Sequence, residues 1–331
     1  MKYKVSVLMS VYNTEKFLKE SITSILSQTL TDFEFIIVDD ASTDKSIEIV
    51  KSFNDQRILL IEKSNNEGLP TCLNIGLEAA KGKYIARMDA DDIALPERLQ
   101  VQFDFLEKNP DVGLCGSWFT RFGECKTQLV KPPLCHAEIK VALLFDTPLA
   151  HPTIMFRREL FQEKKLYYDP LHIRSEDWGL WRKCAVHMKI RNIPTNLLKY
   201  RVVNSSLSNT KNQEREAVLK KIDLENLKAL NIAPTEVELA IHRCLCWGHI
   251  QSHPYLNLNH ILSWVEKIIT SNKVTSLYNQ KYLIQSLSCR WFTICKSTEL
   301  GFLQKLTTYF KGINRSSLKM VNPVFLLKSL Y

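Results

Sequence analysis

Two hydrophobic rhythms alternate along the first part of the chain. Short runs that are apolar throughout take turns with stretches whose apolar residues recur every three or four positions. Residues 4–11 form the first run, closed by the turn signal Tyr12-Asn13. Residues 14–28 carry Leu18, Ile22, Ile25 and Leu26 on one helical face. A strand at 33–38, a helix to about 53, a strand at 57–61, the turn Asn65-Asn66-Glu67-Gly68 and a helix at 69–80 follow. Gly82 stops that helix and another strand starts at 83. The order βαβαβαβ, with strands apolar throughout, predicts an α/β fold whose mostly parallel sheet carries helices on both faces.

Beyond this the pattern predicts a helix at 96–109, opened by Pro96 and closed by Asn109-Pro110, and a strand at 112–117. From 118 to 152 the periodicity loosens, as in a connection across a domain face. A strand at 153–156, a helix at 176–187 and a strand at 197–203 come next. After about residue 209 the pattern is helical only: 214–230, 235–252, 257–270, 276–298 and 301–309. The expected organisation is an α/β domain over 1–208, itself split at 117/118, and a helical region over 209–331.

Charge sharpens that division. Of the net +9, the stretch 251–331 holds ten basic residues against two acidic ones, a balance of +8. This basic, aromatic-bearing tail reads either as a match to an anionic membrane surface or as a helical subdomain with a solvated basic face, and nothing in it resembles a nucleic-acid module. No apolar run reaches the length of about 18 residues that a membrane-spanning helix needs. The N-terminus leads directly into a strand, and the odd count of nine cysteines shows no disulfide spacing. The expectation is a cytoplasmic protein, peripheral on the inner face of the membrane.

The chemistry lies where strands end. Asp89, Asp91 and Asp92 follow an apolar strand as an Asp-X-Asp-Asp cluster, a costly arrangement unless a cation offsets the repulsion. Hard divalent ions, Mg²⁺ or Mn²⁺, take such oxygen ligands. Asp39 and Asp40 end an earlier strand, so they should meet the cluster at the carboxyl edge of the sheet, where open α/β folds bind ligands. Asp40 there is suited to accept a hydrogen bond from a uracil imide, and Ser10 closes the first strand at the same edge. Ser42 reads as the N-cap of the next helix, with Asp44 in its first turn. His242, Cys246, His249 and His253 share one helix face, but one helix cannot wrap four ligands around an ion.

Several separated motifs carry a family resemblance. They are Val5-Ser6-Val7-Leu8-Met9-Ser10-Val11-Tyr12-Asn13, Ser24-Ile25-Leu26-Ser27-Gln28-Thr29, Val38-Asp39-Asp40-Ala41-Ser42-Thr43-Asp44, Asn66-Glu67-Gly68-Leu69 with Asn74-Ile75-Gly76, and Gly82 through Asp92. In order and spacing they resemble the N-terminal half of glycosyltransferase family 2. The resemblance implies a GT-A fold, a nucleotide-sugar donor, a divalent metal and inversion at the anomeric carbon. The Ala-Arg-Met-Asp-Ala-Asp-Asp form is most similar to bacterial transferases that build lipooligosaccharide, O-antigen or capsule, several of which form β1,3 linkages.

Residues 1–117 would then bind a UDP-sugar, and 118–208 a glycan or lipid-linked oligosaccharide acceptor. The resemblance also maps the base that deprotonates the acceptor hydroxyl onto Asp177, with Glu176 in reserve. His151 lies in a segment similar to the one preceding that base, though a lone histidine reads first as structural. Arg201, in a later similar segment, is implied to meet the pyrophosphate. Trp178 and Trp181 fall at helical spacing and read as core. Two other readings stand beside this one: a catalytically inactive, membrane-associated assembly protein of the same fold, and a sugar nucleotidyltransferase. The latter needs a Gly-rich phosphate loop, and Tyr12-Asn13-Thr14-Glu15-Lys16 is not one.

Overall fold

The computed structural model describes residues 2–172, 174–203, 213–248, 257–298, 302–315 and 318. The elements run β1 (Tyr3–Val11), α1 (Glu15–Leu26), β2 (Phe33–Asp39), α2 (Ser46–Ser52), β3 (Ile58–Glu62), α3 (Leu69–Ala79), β4 (Gly82–Met88), β5 (Ile93–Ala94) and α4 (Arg98–Lys108). Then come β6 (Val112–Gly123), β7 (Gln128–Val130), α5 (His136–Ala142), a 3₁₀ turn (His151–Thr153), β8 (Met155–Arg157), α6 (Arg158–Glu163), α7 (Glu176–His187) and β9 (Lys189–Val202). The elements among the described residues that follow are all helices: α8 (Gln213–Ala229), α9 (Glu236–Trp247), α10 (Leu258–Thr275), α11 (Gln280–Ser297) and α12 (Phe302–Arg315).

The chain divides into two compact units, Met1–Ile139 with Thr147–Val218, and Lys140–Asp146 with Leu219–Tyr331. The boundary expected at residue 208 lies outside the described residues.

In the first unit a nine-stranded sheet has the order β3-β2-β1-β4-β8-β6-β9-β5, with β7 paired to β6. β3, β2, β1 and β4 are parallel, as the strand-helix alternation predicts. β1, β2 and β4 are buried along nearly their whole length. β3 departs from the expectation of full burial: it is the edge strand and leaves Leu59 39% exposed. β8 runs antiparallel to both β4 and β6.

The loosened stretch after Trp118 hides more strand than its pattern shows. β6 continues to Gly123 alongside β9, and the pairing jumps from Ser117↔Ile193 to Trp118↔Asn196. The extra residues include Pro194, which has no N–H for a ladder bond, so a bulge accommodates it. The bulge breaks the period-two alternation, and β9 begins at Lys189 rather than near 197.

Parallel register puts the strand ends level. Ser10 lies opposite Val38 and Val11 opposite Asp39, while Met9 pairs with Met88, the last residue before the acid cluster. At the other end of these strands a buried polar clasp sets that register. Ser6 Oγ donates to Glu34 Oε1 at 2.5 Å, Gly82 N to Ser6 Oγ at 2.8 Å, and Lys81 N to the same Glu34 oxygen at 2.6 Å.

The second unit has its own core, in which Leu227, Leu230, Trp264, Ile268, Leu287 and Trp291 are buried together. Three of its helices begin on side-chain caps. Thr235 and Glu238 form a capping box for α9, and Asn257 and Asn279 cap α10 and α11. Among the described residues no helix is long and apolar enough to cross a membrane.

Gly82 leaves no space for a side chain: a Cβ there would lie 2.5 Å from Ser6 N and 2.6 Å from Val5 C. Gly82→Ala should therefore push β4 off β1 and cost about 1–3 kcal/mol, read from the urea midpoint. An unchanged midpoint would show that the clasp is not rigid.

Candidate active site

Three carboxylates converge just past β4. Asp89, Asp91 and Asp92 each offer an oxygen, and these oxygens all lie within 4.8 Å of one another. Asp92 is buried; its Oδ1 accepts from Arg201 N at 2.7 Å, while its Oδ2 is buried with no hydrogen-bond partner. Ser21 Oγ donates to the Asp92 carbonyl at 2.7 Å, fixing the loop from the α1 side. Burial, then the charge of Asp89, pushes the Asp91 carboxyl up to about 6 and the Asp92 carboxyl well above its usual range. A compact oxygen set with an orphaned buried oxygen and mutual repulsion fits a hard divalent cation.

Arg87, near the end of β4, is the cation already present. It is 2% exposed and ion-paired with Asp89, with Nε and Nη1 buried and lacking hydrogen-bond partners. Arg98 lies behind it, donating from Nη2 to the Arg87 carbonyl at 2.6 Å. Burial, then the like charge of Arg87, lowers the Arg98 guanidinium to about 10.

At the ends of β1 and β2 the nucleoside candidates cluster. Ser10 is half-buried. Asp39 Oδ2 accepts from Ser42 N at 3.0 Å, and its Oδ1 is buried without a partner. Asp40 receives Lys63 Nζ at 2.7 Å, Glu67 N at 2.9 Å and Gly68 N at 2.8 Å. Burial works against its charge, but the Lys63 and backbone hydrogen bonds outweigh it and hold the carboxyl below its ordinary value. Gly68, at φ +87°, turns the backbone so that both N–H groups reach Asp40. Most of the Asp40 carboxylate is thus engaged in shaping the turn before α3. The expected Ser42 cap is not formed: Ser42 Oγ accepts from Asn13 N, and Asp44 Oδ1 instead takes Ser46 N at the start of α2.

The third part arrives on α7. Glu176 and Asp177 open that helix, Glu176 buried and Asp177 half-buried. Burial, then the Asp177 charge, raises the Glu176 carboxyl to about 7. His151 Nδ1 lies 4.0 Å from Glu176 Oε1, and its Nε2 lies 2.9 Å from the Tyr168 hydroxyl. Burial and the Arg87 charge push the His151 imidazole well below its usual range, toward the neutral form. The charge of Asp89 raises Glu176 and that of Arg87 lowers it, so cluster and helix share one electrostatic environment.

Arg201 stands at the edge of the cluster as a strut. Its Nε donates to the Asp91 carbonyl at 2.7 Å, Nη2 pairs with Glu20, and the guanidinium lies 4.3 Å from the Phe17 ring centre and 4.5 Å from that of Phe122. Trp178 and Trp181 are core residues.

His242 and Cys246 do come together with Asp223. Both His242 ring nitrogens are occupied, however, by the Leu144 carbonyl at 3.2 Å and the Trp264 indole at 3.3 Å. His249 and His253 lie outside the described residues. Sequence reading passed over Arg87, Lys63 and Tyr168. A lone arginine inside an otherwise apolar strand was the available signal for Arg87; Lys63 and Tyr168 carried none.

The profile described as "Glycosyl transferase family 2" matches residues 6–164. An uncharacterized glycosyltransferase of Haemophilus influenzae is 34% identical over 235 residues, covering 67% of this chain and 73% of that protein. The chain belongs to glycosyltransferase family 2. The amylovoran biosynthesis glycosyltransferase AmsE of Erwinia amylovora is 33% identical over 202 residues, 59% of this chain and 75% of that one. Among solved structures, S. aureus TarS 1-349 in complex with UDP-GlcNAc superposes with a TM-score of 0.60 at 17% identity, covering 92% of this chain and 89% of that one. The fold of this transferase is GT-A, with a helical C-terminal region.

The raised carboxyls set a pH dependence. A proton bound more tightly in the folded than the unfolded chain costs stability as it leaves, so metal-free stability falls as pH rises through about 6 for Asp91 and about 7 for Glu176. Asp40, Asp44 and Asp55 are lowered and act the other way, losing their contribution as pH falls below the carboxylate range. The Tm of the metal-free protein should therefore peak near about pH 4 and decline until about pH 7, and Asp91→Asn should flatten the decline. A Tm that climbs steadily over that interval would contradict the arrangement.

Proposed function

We propose that this transferase moves a hexose or N-acetylhexosamine from a UDP-sugar to a glycan acceptor with inversion, the acceptor being a lipid-linked oligosaccharide of bacterial surface polysaccharide synthesis. The observation that carries the reading is the shared environment of the Asp89–Asp91–Asp92 cluster and the α7 carboxylates around Arg87. The name of AmsE and the UDP-GlcNAc held by TarS support the pathway class and the donor class.

In this reading Ser10, Asp39 and Asp40 bound the nucleoside pocket. Asp89 and Asp91 would hold Mg²⁺ or Mn²⁺, with Asp92 in support. The ion, when bound, neutralises charge developing on the departing UDP. Arg201 contributes by fixing Asp91 and Asp92 rather than through a free guanidinium.

Asp177 takes the acceptor proton. Both α7 acids sit at the positive end of the helix, but Asp177 is the more exposed and so the more able to meet an acceptor. Glu176, buried beside His151, supports it. Asp177→Asn should bind UDP with Mn²⁺ as the parent does and lose transfer by about a hundredfold or more, measured as UDP released across a panel of UDP-sugars and acceptors. Turnover near the parent rate would move the base to Glu176. No UDP release from any donor by the parent protein would favour the inactive assembly protein, and pyrophosphate release the nucleotidyltransferase.

The membrane enters through the second unit. Phe310 on α12 is 42% exposed and is followed by Lys311, within the tail of strong positive balance. The protein should sediment with vesicles containing phosphatidylglycerol and release as salt shortens the screening length below about 10 Å. Equal binding to neutral vesicles would remove the electrostatic part of the reading.

A further inference from the structure

One motif has no role in the chemistry described so far: Asn74-Ile75-Gly76, on α3. The Asn74 side chain forms a two-way clip with a backbone unit far along the chain. Its Nδ2 donates to the Tyr168 carbonyl at 2.8 Å, and its Oδ1 accepts from Tyr168 N at 2.9 Å. A primary amide bonded both ways to one residue imitates a strand neighbour and fixes both position and rotation of that residue.

The rotation has a consequence. Tyr167 is 44% exposed, whereas Tyr168 is 1% exposed and turned inward. The Tyr168 hydroxyl meets His151 Nε2 at 2.9 Å, and the two rings lie 5.3 Å apart. His151 in turn packs edge-on against Trp181 of α7 at 5.6 Å and sets its Nδ1 4.0 Å from Glu176 Oε1. A chain of contacts therefore runs from Asn74 through Tyr168 and His151 to the first turn of α7.

The other end of the chain is equally firm. α3 follows its N-cap Gly68, whose N–H is held by Asp40. Gly76 lies against β1 so closely that a Cβ would come within 2.0 Å of the Leu8 side chain. α3 is thus anchored on the strand that carries the nucleoside pocket.

We infer that Asn74 is a positioning residue of the transfer reaction: it ties the segment before α7 to the donor-side helix α3, so that the α7 carboxylates hold a fixed distance from the donor. This rests on the reading of Asp177 as the base. A displacement of about 1 Å at the reacting groups is enough to cost about a hundredfold in rate, so a clip remote from the chemistry can govern it.

The test uses the full chain as Asn74→Ala, Asn74→Asp, Tyr168→Phe and the double variant Asn74→Ala/Tyr168→Phe. Affinity for UDP with Mn²⁺ is measured by calorimetry, amide exchange is followed at Tyr168 and over 175–179, and turnover is read as UDP release. Asn74→Ala should bind UDP within about twofold of the parent, exchange faster at both segments, and lose about a hundredfold in kcat at unchanged donor KM. Asn74→Asp, which keeps the acceptor oxygen and loses the donor, should fall between, and it stands in if the alanine variant fails to fold. The double variant should be no slower than Asn74→Ala alone, because both changes break one chain of contacts.

The inference is overturned if exchange over 175–179 and kcat stay at parent values, or if UDP affinity falls in step with kcat. An active Asp177→Asn would instead sink the base assignment, leaving the exchange result for Asn74→Ala to stand by itself.

Discussion

Arg87 is a guanidinium inside an apolar strand, and the arrangement of the site follows from keeping it charged there. A buried cation is tolerated only among compensating negative groups. Asp89 supplies a direct ion pair, and Asp92 adds charge from nearby. The compensation overshoots, because three carboxylates surround one arginine at this point and two more stand at the start of α7. The surplus is what would favour a further cation at the edge of β4. Arg98 belongs to the same balance: its hydrogen bond to the Arg87 carbonyl holds the strand end, while burial, then the like charge of Arg87, lowers its own pKa.

Each remaining part is held by backbone rather than by side-chain packing alone. Arg201 donates its main-chain N–H to Asp92 across from β9, Gly68 and Glu67 donate theirs to Asp40, and the backbone of Tyr168 is gripped by Asn74. Main-chain bonds of this kind position a group without depending on a flexible side chain. The strands and helices supply the rigid frame, and the loops at their ends supply the chemistry, as is general for open α/β sheets.

How much of this was legible in the sequence depended on local pattern. β1, β2 and β4 are mostly apolar and read directly, as did the acids that follow them, because a strand buried on both faces carries an apolar run rather than an alternation. The second half of the sheet did not read. Pro194 and the bulge beside it broke the alternation of β9, and β5 and β7 are too short for any period. The cluster of Asp89, Asp91 and Asp92 was visible as adjacent letters, but its countercharge, Arg87, was absorbed into an apolar strand. Tyr168 and Lys63 could not be found at all, since their meaning lies in contacts across 17 and 23 residues to His151 and Asp40.

Glu176 and Asp177 show how one turn of helix separates two chemically similar acids. They are neighbours in sequence and both face the helix N-terminus, which favours negative charge. Burial acts on them unequally. Glu176 lies under the surface against His151, and the cost of desolvating its charge outweighs the helix, so its carboxyl keeps its proton to about pH 7. Asp177 stays half in solvent. A carboxyl that keeps its proton beside a second acid avoids the repulsion of a fully ionised pair. Positive charge added at the Asp89 cluster would offset the charge of Asp89 and so lower the raised Glu176 carboxyl. In this arrangement the protonation of Glu176 answers to the charge of Asp89, which raises it, and to that of Arg87, which lowers it.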